Sequence, residues 1–507
     1  MSESLVMGAI TMAPWVAVLF SAIAGRSGLN LGAVSRVAAS VVALGFFATI
    51  AAVPSVLAQP PSDRLGFGAT TLRLDALALI LSMMVLGLSA LIQTFAIRYL
   101  RGDLRQLWFV VCANLLTGFT LLMVCAGSVA IFALGWIGTG AALMLLLATY
   151  WPLGQARAGV RRTGFRFALA DTAFLAGAGS LVASAGGDVP LARLGTVATS
   201  LPIPLQLTIA MLLVTSALAR SSQIPFQGWL PFTLAAPTPV SALMHAGVVN
   251  GGAILLIRFA PVIASHRSVM IIVFLAGAAT LVYASSARLV RPDVKGRLVF
   301  STMAQMGYMI MACGLGVFGA AIFHLVAHSL FKSTLFLGAG MAVRQHTVDR
   351  DLPAGQRLSP LTRFAAMGLS ILVPAASVAG ATVLLTPTLT APSIGLLVFV
   401  GVTASVALAT ALLAHFSIRT VTVGVATTAA LAFAYVAFLH VFSTTLEPDS
   451  GINGAPAWLL ILPTLGLLVV QLLSRNPRKL GRLGDLVYVR SSATAAGRPS
   501  LSMGVRS

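Results

Sequence analysis

Residues 220–258 read RSSQIPFQGWLPFTLAAPTPVSALMHAGVVNGGAILLIR. Inside sequence apolar enough for lipid, this stretch places Arg220, His245 and the prolines Pro225, Pro231, Pro237 and Pro239. Lipid offers no partner to a freed backbone group or a lone charge, so interrupted helices and ionisable side chains survive there only when buried in protein or beside water. The stretch therefore marks either an ion or proton path or a packed joint in a bundle of membrane helices. Pro225, Pro237 and Pro239 are the residues expected to break the helix that leads into it.

Composition points to the same class. Of 507 residues 58% are hydrophobic and only 9% are charged, and mean hydropathy is +0.97. A soluble domain carries roughly 25% charged residues, so the bilayer is the main solvent and partner of this chain. The formal charge of +20 raises the question of nucleic acid, but the basic residues lie in short loops between apolar runs. That is the positive-inside pattern, and no nucleic-acid face is expected. Cys112, Cys125 and Cys313 lie in apolar segments without CxxC spacing and read as small core residues. The N-terminus has no basic region before its first apolar run, which reads as a retained anchor.

A membrane helix needs about 20 apolar residues. Such runs occur near 5–24, 34–58, 75–97, 107–126, 129–151, 167–186, 203–222, 239–257, 268–287, 298–317, 319–342, 364–386, 391–415, 420–443 and 456–474. The count is 14–15, since residues 223–238 could form a second half of the seventh helix. Loops after odd-numbered runs hold most of the arginines, among them Arg98, Arg101 and Arg105, then Arg288, Arg291, Lys295 and Arg297, then Arg344, Arg350, Arg357 and Arg363. The other side has isolated Arg64, Arg193 and Arg267 and the acidic Glu447 and Asp449. This bias predicts a cytoplasmic-membrane protein with its N-terminus outside and its C-terminus, including a basic tail at 475–507, in the cytoplasm.

Ionisable residues recur within these runs: Asp171 in the sixth, Arg220 in the seventh, His245 in the eighth. The eleventh, AIFHLVAHSLFKSTLFLGAG, carries His324, His328 and Lys332 at i, i+4 and i+8. They share one face over about 12 Å of helix, and such a stripe in lipid is costly unless it faces a hydrated interior. Histidine titrates near neutrality and desolvated lysine gives up its proton readily, so these residue types can pass protons along water. The bland alternative is interhelical hydrogen bonding, which a single histidine would favour and a stripe of three does not. HLVAH also invites a zinc reading, but it lacks the glutamate of HExxH and a nearby third ligand, so no metal site is expected. His415 and His440 match no motif.

The motifs RSSQIPFQGWLP, APTPVSALMHAG, RPDVKGRLVFSTMAQMGYM and AAIFHLVAHSLFKSTLFLGAG resemble, over residues 70–345, the signature of the proton-translocating antiporter-like family. Its members include the L/M/N subunits of complex I, Mrp antiporter subunits and subunits of membrane-bound hydrogenases. The resemblance implies an all-α polytopic fold with two inverted five-helix repeats and a broken helix seven. Three N-terminal helices would occupy 1–106, the repeats 107–257 and 258–415, and C-terminal helices 416–474. Pro225 marks one interruption, and the resemblance puts its counterpart near Pro374. It also implies an ion path through Asp171, Arg220, His245, Lys295, His324, His328 and Lys332.

The chain departs from the family in three places. GWIGTG puts Ile137 where the switching glutamate of helix five is expected, and Arg220 replaces the lysine of helix seven. Around Thr382 neither the lysine nor the glutamate that ends the pumping path is found. Arginine keeps its proton, so Arg220 cannot switch, and Asp171 is its nearest counter-charge in sequence. Within the family the MHAGVVNGG turn and the CGLGVFGAAIFHLVAHSLFK run are most similar to the DabB group, membrane subunits of two-component inorganic-carbon systems. That likeness implies conduction of H⁺ or Na⁺ and no cofactor in this chain. It also implies a DabA-like zinc partner, similar to a β-carbonic anhydrase, that hydrates carbon dioxide to bicarbonate. The competing classes are a redox-driven subunit of a complex I-type or hydrogenase complex and an intramembrane metalloenzyme.

Overall fold

A computed structural model describes residues 3–58, 65–67, 70–291, 293–338, 358–385, 390–414, 416–446 and 452–475. Fifteen long helices follow in order, one at each apolar run. They are α1 (Glu3–Arg26), α2 (Leu31–Ala58), α3 (Ala76–Tyr99), α4 (Gln106–Val124), α5 (Val129–Leu147), α6 (Gly154–Ala185), α7 (Ile203–Arg220) and α8 (Thr238–Arg258). Then come α9 (Arg267–Val290), α10 (Val294–Gly314), α11 (Phe318–Leu337), α12 (Pro360–Leu385), α13 (Ala391–Ala414), α14 (Ile418–Leu446) and α15 (Ile461–Arg475). Among the described residues thirteen helices are long and apolar enough to cross a membrane; α10 and α15 fill the two remaining places. The chain is an all-α, multi-pass membrane protein.

The connections after even-numbered helices are laced together. A hairpin of β1 (Leu65–Phe67) and β2 (Thr70–Leu72) follows α2, and β2 meets the loop after α4 through a Leu72–Ala126 bridge and a Gly127 N–H bond to Thr71 O. A Cβ on Gly127 would come within 2.7 Å of that same carbonyl oxygen, so only glycine allows this approach. The loop after α4 also bridges the loop after α6 at Ser128–Pro190, and Asn453 and Ala455, after α14, donate to Ala264, after α8, and to Gly314, the last residue of α10. Even-numbered loops thus share one face, as an alternating topology requires.

Burial is uneven. The α8 span is the most enclosed, 89% of its apolar window being buried, against 11% for α14. That contrast places α8 at the centre of the bundle and leaves α14 at its rim. The second half-helix expected at 223–238 does not form: after Arg220 the chain runs as turns with one 3₁₀ turn at Leu230–Thr233. The four prolines explain this, because a proline ring removes a donor and collides with the preceding turn. Nor is there an interruption near Pro374, since α12 continues through that residue. The expected loop residues Arg64, Arg344, Arg350, Arg357, Glu447 and Asp449, His415 and most of the basic tail lie outside the described residues.

Candidate functional site

The irregular segment 221–237 can exist at membrane depth because many of its polar groups are paired within protein, although Gln223 Oε1 and Gln227 Oε1 find no partner among the described residues. Ser222 takes φ +55° and its hydroxyl donates to Gln227 O. Ile224 N–H donates to Thr280 Oγ1 at 2.9 Å, and Trp229 Nε1 to Ala219 O at 3.0 Å. Ser221 Oγ joins the two sides of the break, donating to Val249 O and accepting from Gly252 N–H. Lys295, at the start of α10, donates to Ala236 O at 3.2 Å. Pro237 and Pro239 stand at the start of α8, where a missing N–H costs nothing. Gly247 then interrupts α8, and a 3₁₀ turn at Val248–Asn250 separates its two halves.

Arg220 closes α7 with 1% of its surface exposed. One guanidinium nitrogen donates to Asp171 Oδ1 at 2.8 Å and to Trp136 O at 2.7 Å, while the rings of Trp136 and Phe167 cover the group at 4.3 Å each. The pair expected from sequence is therefore present, joining α6 to α7, with cation–π contacts as additional support. GWIGTG serves this arrangement through size. Gly135 and Gly138 let α4 approach closely, and a Cβ on Gly140 would lie 2.5 Å from Arg220 Nη1. Ile137, at the position of the family's glutamate, is 37% exposed and takes no part.

Lys332 is equally buried, at 1% exposure, but held differently. Its ammonium donates to Ser301 Oγ at 2.7 Å, and among the described residues it forms no ion pair with a carboxylate. His328, one turn away, lies within hydrogen-bonding reach of the His245 backbone on α8. The His245 ring stacks on Phe336 at 4.4 Å, and its side chain is in electrostatic reach of both Lys332 and Lys295. His324 continues the row at 5.9 Å between ring centres and meets Tyr308 of α10 at 4.6 Å. Asn250, in the break of α8, donates to Ser329 Oγ at 2.9 Å, and Gly251 beside it packs on the Arg220 stem. These contacts run as one belt from Asp171 to His324, polar except where Gly251 packs on the aliphatic Arg220 stem.

His245 Nδ1, His324 Nε2, His328 Nε2 and Asn250 Oδ1 are buried and make no hydrogen bond to the described residues. Buried polar atoms are satisfied in nearly every native protein, so the belt suits water. Among the described residues no three of His, Cys, Asp or Glu converge.

A second, half-buried pair was not singled out in the sequence. Asp75 caps α3 through Ala78 N–H and binds Arg258, at the end of α8, through both carboxylate oxygens at 2.5 and 3.0 Å; Arg258 also reaches Val124 O. Burial pushes the Asp75 carboxyl up, but the charge and hydrogen bonds of Arg258, the Ala78 N–H and Arg73 outweigh it and leave it below its ordinary value. The available signal was an aspartate bordering an apolar run in a chain with only twelve acidic residues.

Two family models match the chain. The transmembrane region of the NADH:quinone oxidoreductase/Mrp antiporter family covers residues 126–417, and the N-terminus of NADH-ubiquinone oxidoreductase (complex I) chain 5 covers 69–110. The chain is 37% identical over 321 residues to the "Probable inorganic carbon transporter subunit DabB1" of Halothiobacillus neapolitanus, covering 61% of this chain and 57% of that one. It is 34% identical over 297 residues to NADH-ubiquinone oxidoreductase chain 5 of Cryptococcus neoformans var. grubii, covering 57% and 43%. It thus spans about half the length of these curated relatives. The solved Mrp complex from Dietzia sp. DQ12-45-1b shares the fold, with a TM-score of 0.58 at 23% identity over 98% of this chain and 52% of that one. With more than half of its length matched by the antiporter model, the chain belongs to the NADH:quinone oxidoreductase/Mrp antiporter transmembrane family.

Proposed function

We propose that this chain is the cation-conducting, energy-coupling subunit of a two-component inorganic-carbon pump. In this reading it carries H⁺ or Na⁺ down its gradient, does no chemistry of its own and binds no cofactor. A DabA-like zinc partner hydrates carbon dioxide to bicarbonate on the cytoplasmic side. Residues 107–257 and 258–415 form the two halves of the path, in the cytoplasmic membrane, with the N-terminus outside.

The observation that carries the proposal is Lys332, buried beside a row of histidines with a hydroxyl, not a carboxylate, on its ammonium. A buried charge without a counter-charge is costly by several kcal/mol, so a cation there is readily handed on. The likeness to DabB1 supplies the inorganic-carbon half of the reading.

A second reading, a redox-driven subunit of a complex I-type or hydrogenase complex, draws on the 34% identity to chain 5. The fixed Arg220–Asp171 pair weighs against it, since no switching lysine stands on α7. Purification of the tagged chain from its host separates the two. Co-purification of a soluble zinc protein, with uptake of inorganic carbon lost on deleting this chain, is expected; quinone- or iron–sulfur-bearing companions would overturn the proposal.

A further inference from the structure

The α11 stripe needs an exit, and the two helices that follow supply none. Residues 364–385 of α12 and all of α13 contain no ionisable side chain. The polar contact that does continue the stripe lies elsewhere. Tyr308 of α10, against His324, has its hydroxyl 3.1 Å from that of Tyr435 on α14, and both phenols are buried.

Tyr435 borders a half-open cavity of about 880 Å³ lined by residues of α11, α12, α13 and α14. Its walls are mostly alanine, glycine, valine and leucine, with Thr403 on α13 and a polar stripe along α14 formed by Arg419, Thr420, Thr427 (its hydroxyl donating to Val423 O), Thr428 and Tyr435. These positions fall at intervals of seven or eight, on one face of the helix, and span about 24 Å of rise. The stripe runs from the tyrosine pair to the end of α14 that carries Arg419.

We propose that protons leave the histidine row through the Tyr308–Tyr435 hydroxyls into this cavity, so that α14 carries the exit. This rests on the conduction reading above and narrows its cation to H⁺. A proton taken up by the Tyr308 hydroxyl displaces that hydroxyl's own proton to Tyr435, which releases its own into the cavity. Only O–H bonds form and break, and both phenols end neutral. Two phenolic oxygens without a carboxylate make a poor Na⁺ site, because hard cations need several oxygen ligands.

The test uses the full chain, purified with whatever partner accompanies it and reconstituted in vesicles, with proton flux read by an internal pH dye under an imposed potential. Tyr435→Phe and Tyr308→Phe each remove one hydroxyl and keep the ring; each is expected to lower flux by roughly two orders of magnitude while melting as the parent does. In Ala407→Cys, a charged methanethiosulfonate reagent is expected to block whatever flux the untreated variant shows, and this arm decides if the phenylalanine variants fail to insert. Flux lost in Lys332→Ala but kept in both phenylalanine variants, or a reagent without effect on Ala407→Cys, would overturn the exit alone. Flux kept in Lys332→Ala would instead overturn the conduction reading.

Discussion

Arg220 and Lys332 are equally deep in the bundle, each 1% exposed, and the protein holds them in opposite ways. Arg220 has a carboxylate, a backbone carbonyl and two aromatic faces. Lys332 has a serine hydroxyl and a line of histidines. A guanidinium stays charged and must be paired wherever it is buried, whereas an ammonium can lose its proton. The first half of the bundle thus pairs its buried cation with a carboxylate, and the second half leaves its own on a hydroxyl.

The strongest way to break this contrast is Lys332→Ala. Ion-coupled activity is expected to fall to the level of vesicles without protein, while insertion and partner binding persist. His324→Ala and His328→Ala should impair the same activity. Full activity in the lysine variant would make the row structural.

Truncating the paired charge should act on stability instead. Arg220→Ala and Asp171→Asn are each expected to cost roughly 3 kcal/mol, the low end for a buried pair because Asp171 keeps 23% of its side chain exposed. The double variant Asp171→Asn with Arg220→Gln should recover assembly better than either single change, as judged by yield and melting in detergent. Wild-type behaviour in both single variants would show that the pair holds nothing together.

The Asp75–Arg258 pair offers a control outside the path. Asp75→Asn is expected to cost about 2 kcal/mol, the range for charge-assisted hydrogen bonds. The sign of its pH dependence follows from the depressed carboxyl. A lowered folded-state pKa stabilises fully above the unfolded value of about 3.9, and that stability drains away as pH falls below it. The parent should therefore lose melting temperature below about pH 4, and Asp75→Asn should lose less; parallel curves would refute the assignment.

The smallest expected effect is Gly140→Ala. It crowds the guanidinium and, less closely, the Phe167 ring, and should cost about 1–2 kcal/mol with conduction per inserted molecule unchanged. Loss of conduction at normal stability would mean that Arg220 belongs to the moving path.

Much of this was legible beforehand because lipid reduces the reading to a few rules. Each apolar run became one helix, and the four prolines after Arg220 announced an irregular segment. Spacing alone put His324, His328 and Lys332 on one face. Other features were hidden for a reason: Asp75 and Arg258 lie 183 positions apart, and Tyr308 and Tyr435 lie 127 apart. No local period links such residues. Pro374 misled in the opposite direction, because a proline within a membrane helix is tolerated when neighbours satisfy the freed carbonyl.

By itself, the sequence determined the solvent, the helices, the interrupted joint and the chemical types of the buried charges. These follow from hydropathy, proline geometry and the cost of charge in lipid, all properties of residues near one another in the chain. The tertiary structure decided which charge has a counter-charge and which does not. It gave Arg220 its aspartate, left Lys332 with a serine and set Tyr435 beside Tyr308. Pairing depends on distances of a few ångströms between helices, and only their packing sets those distances.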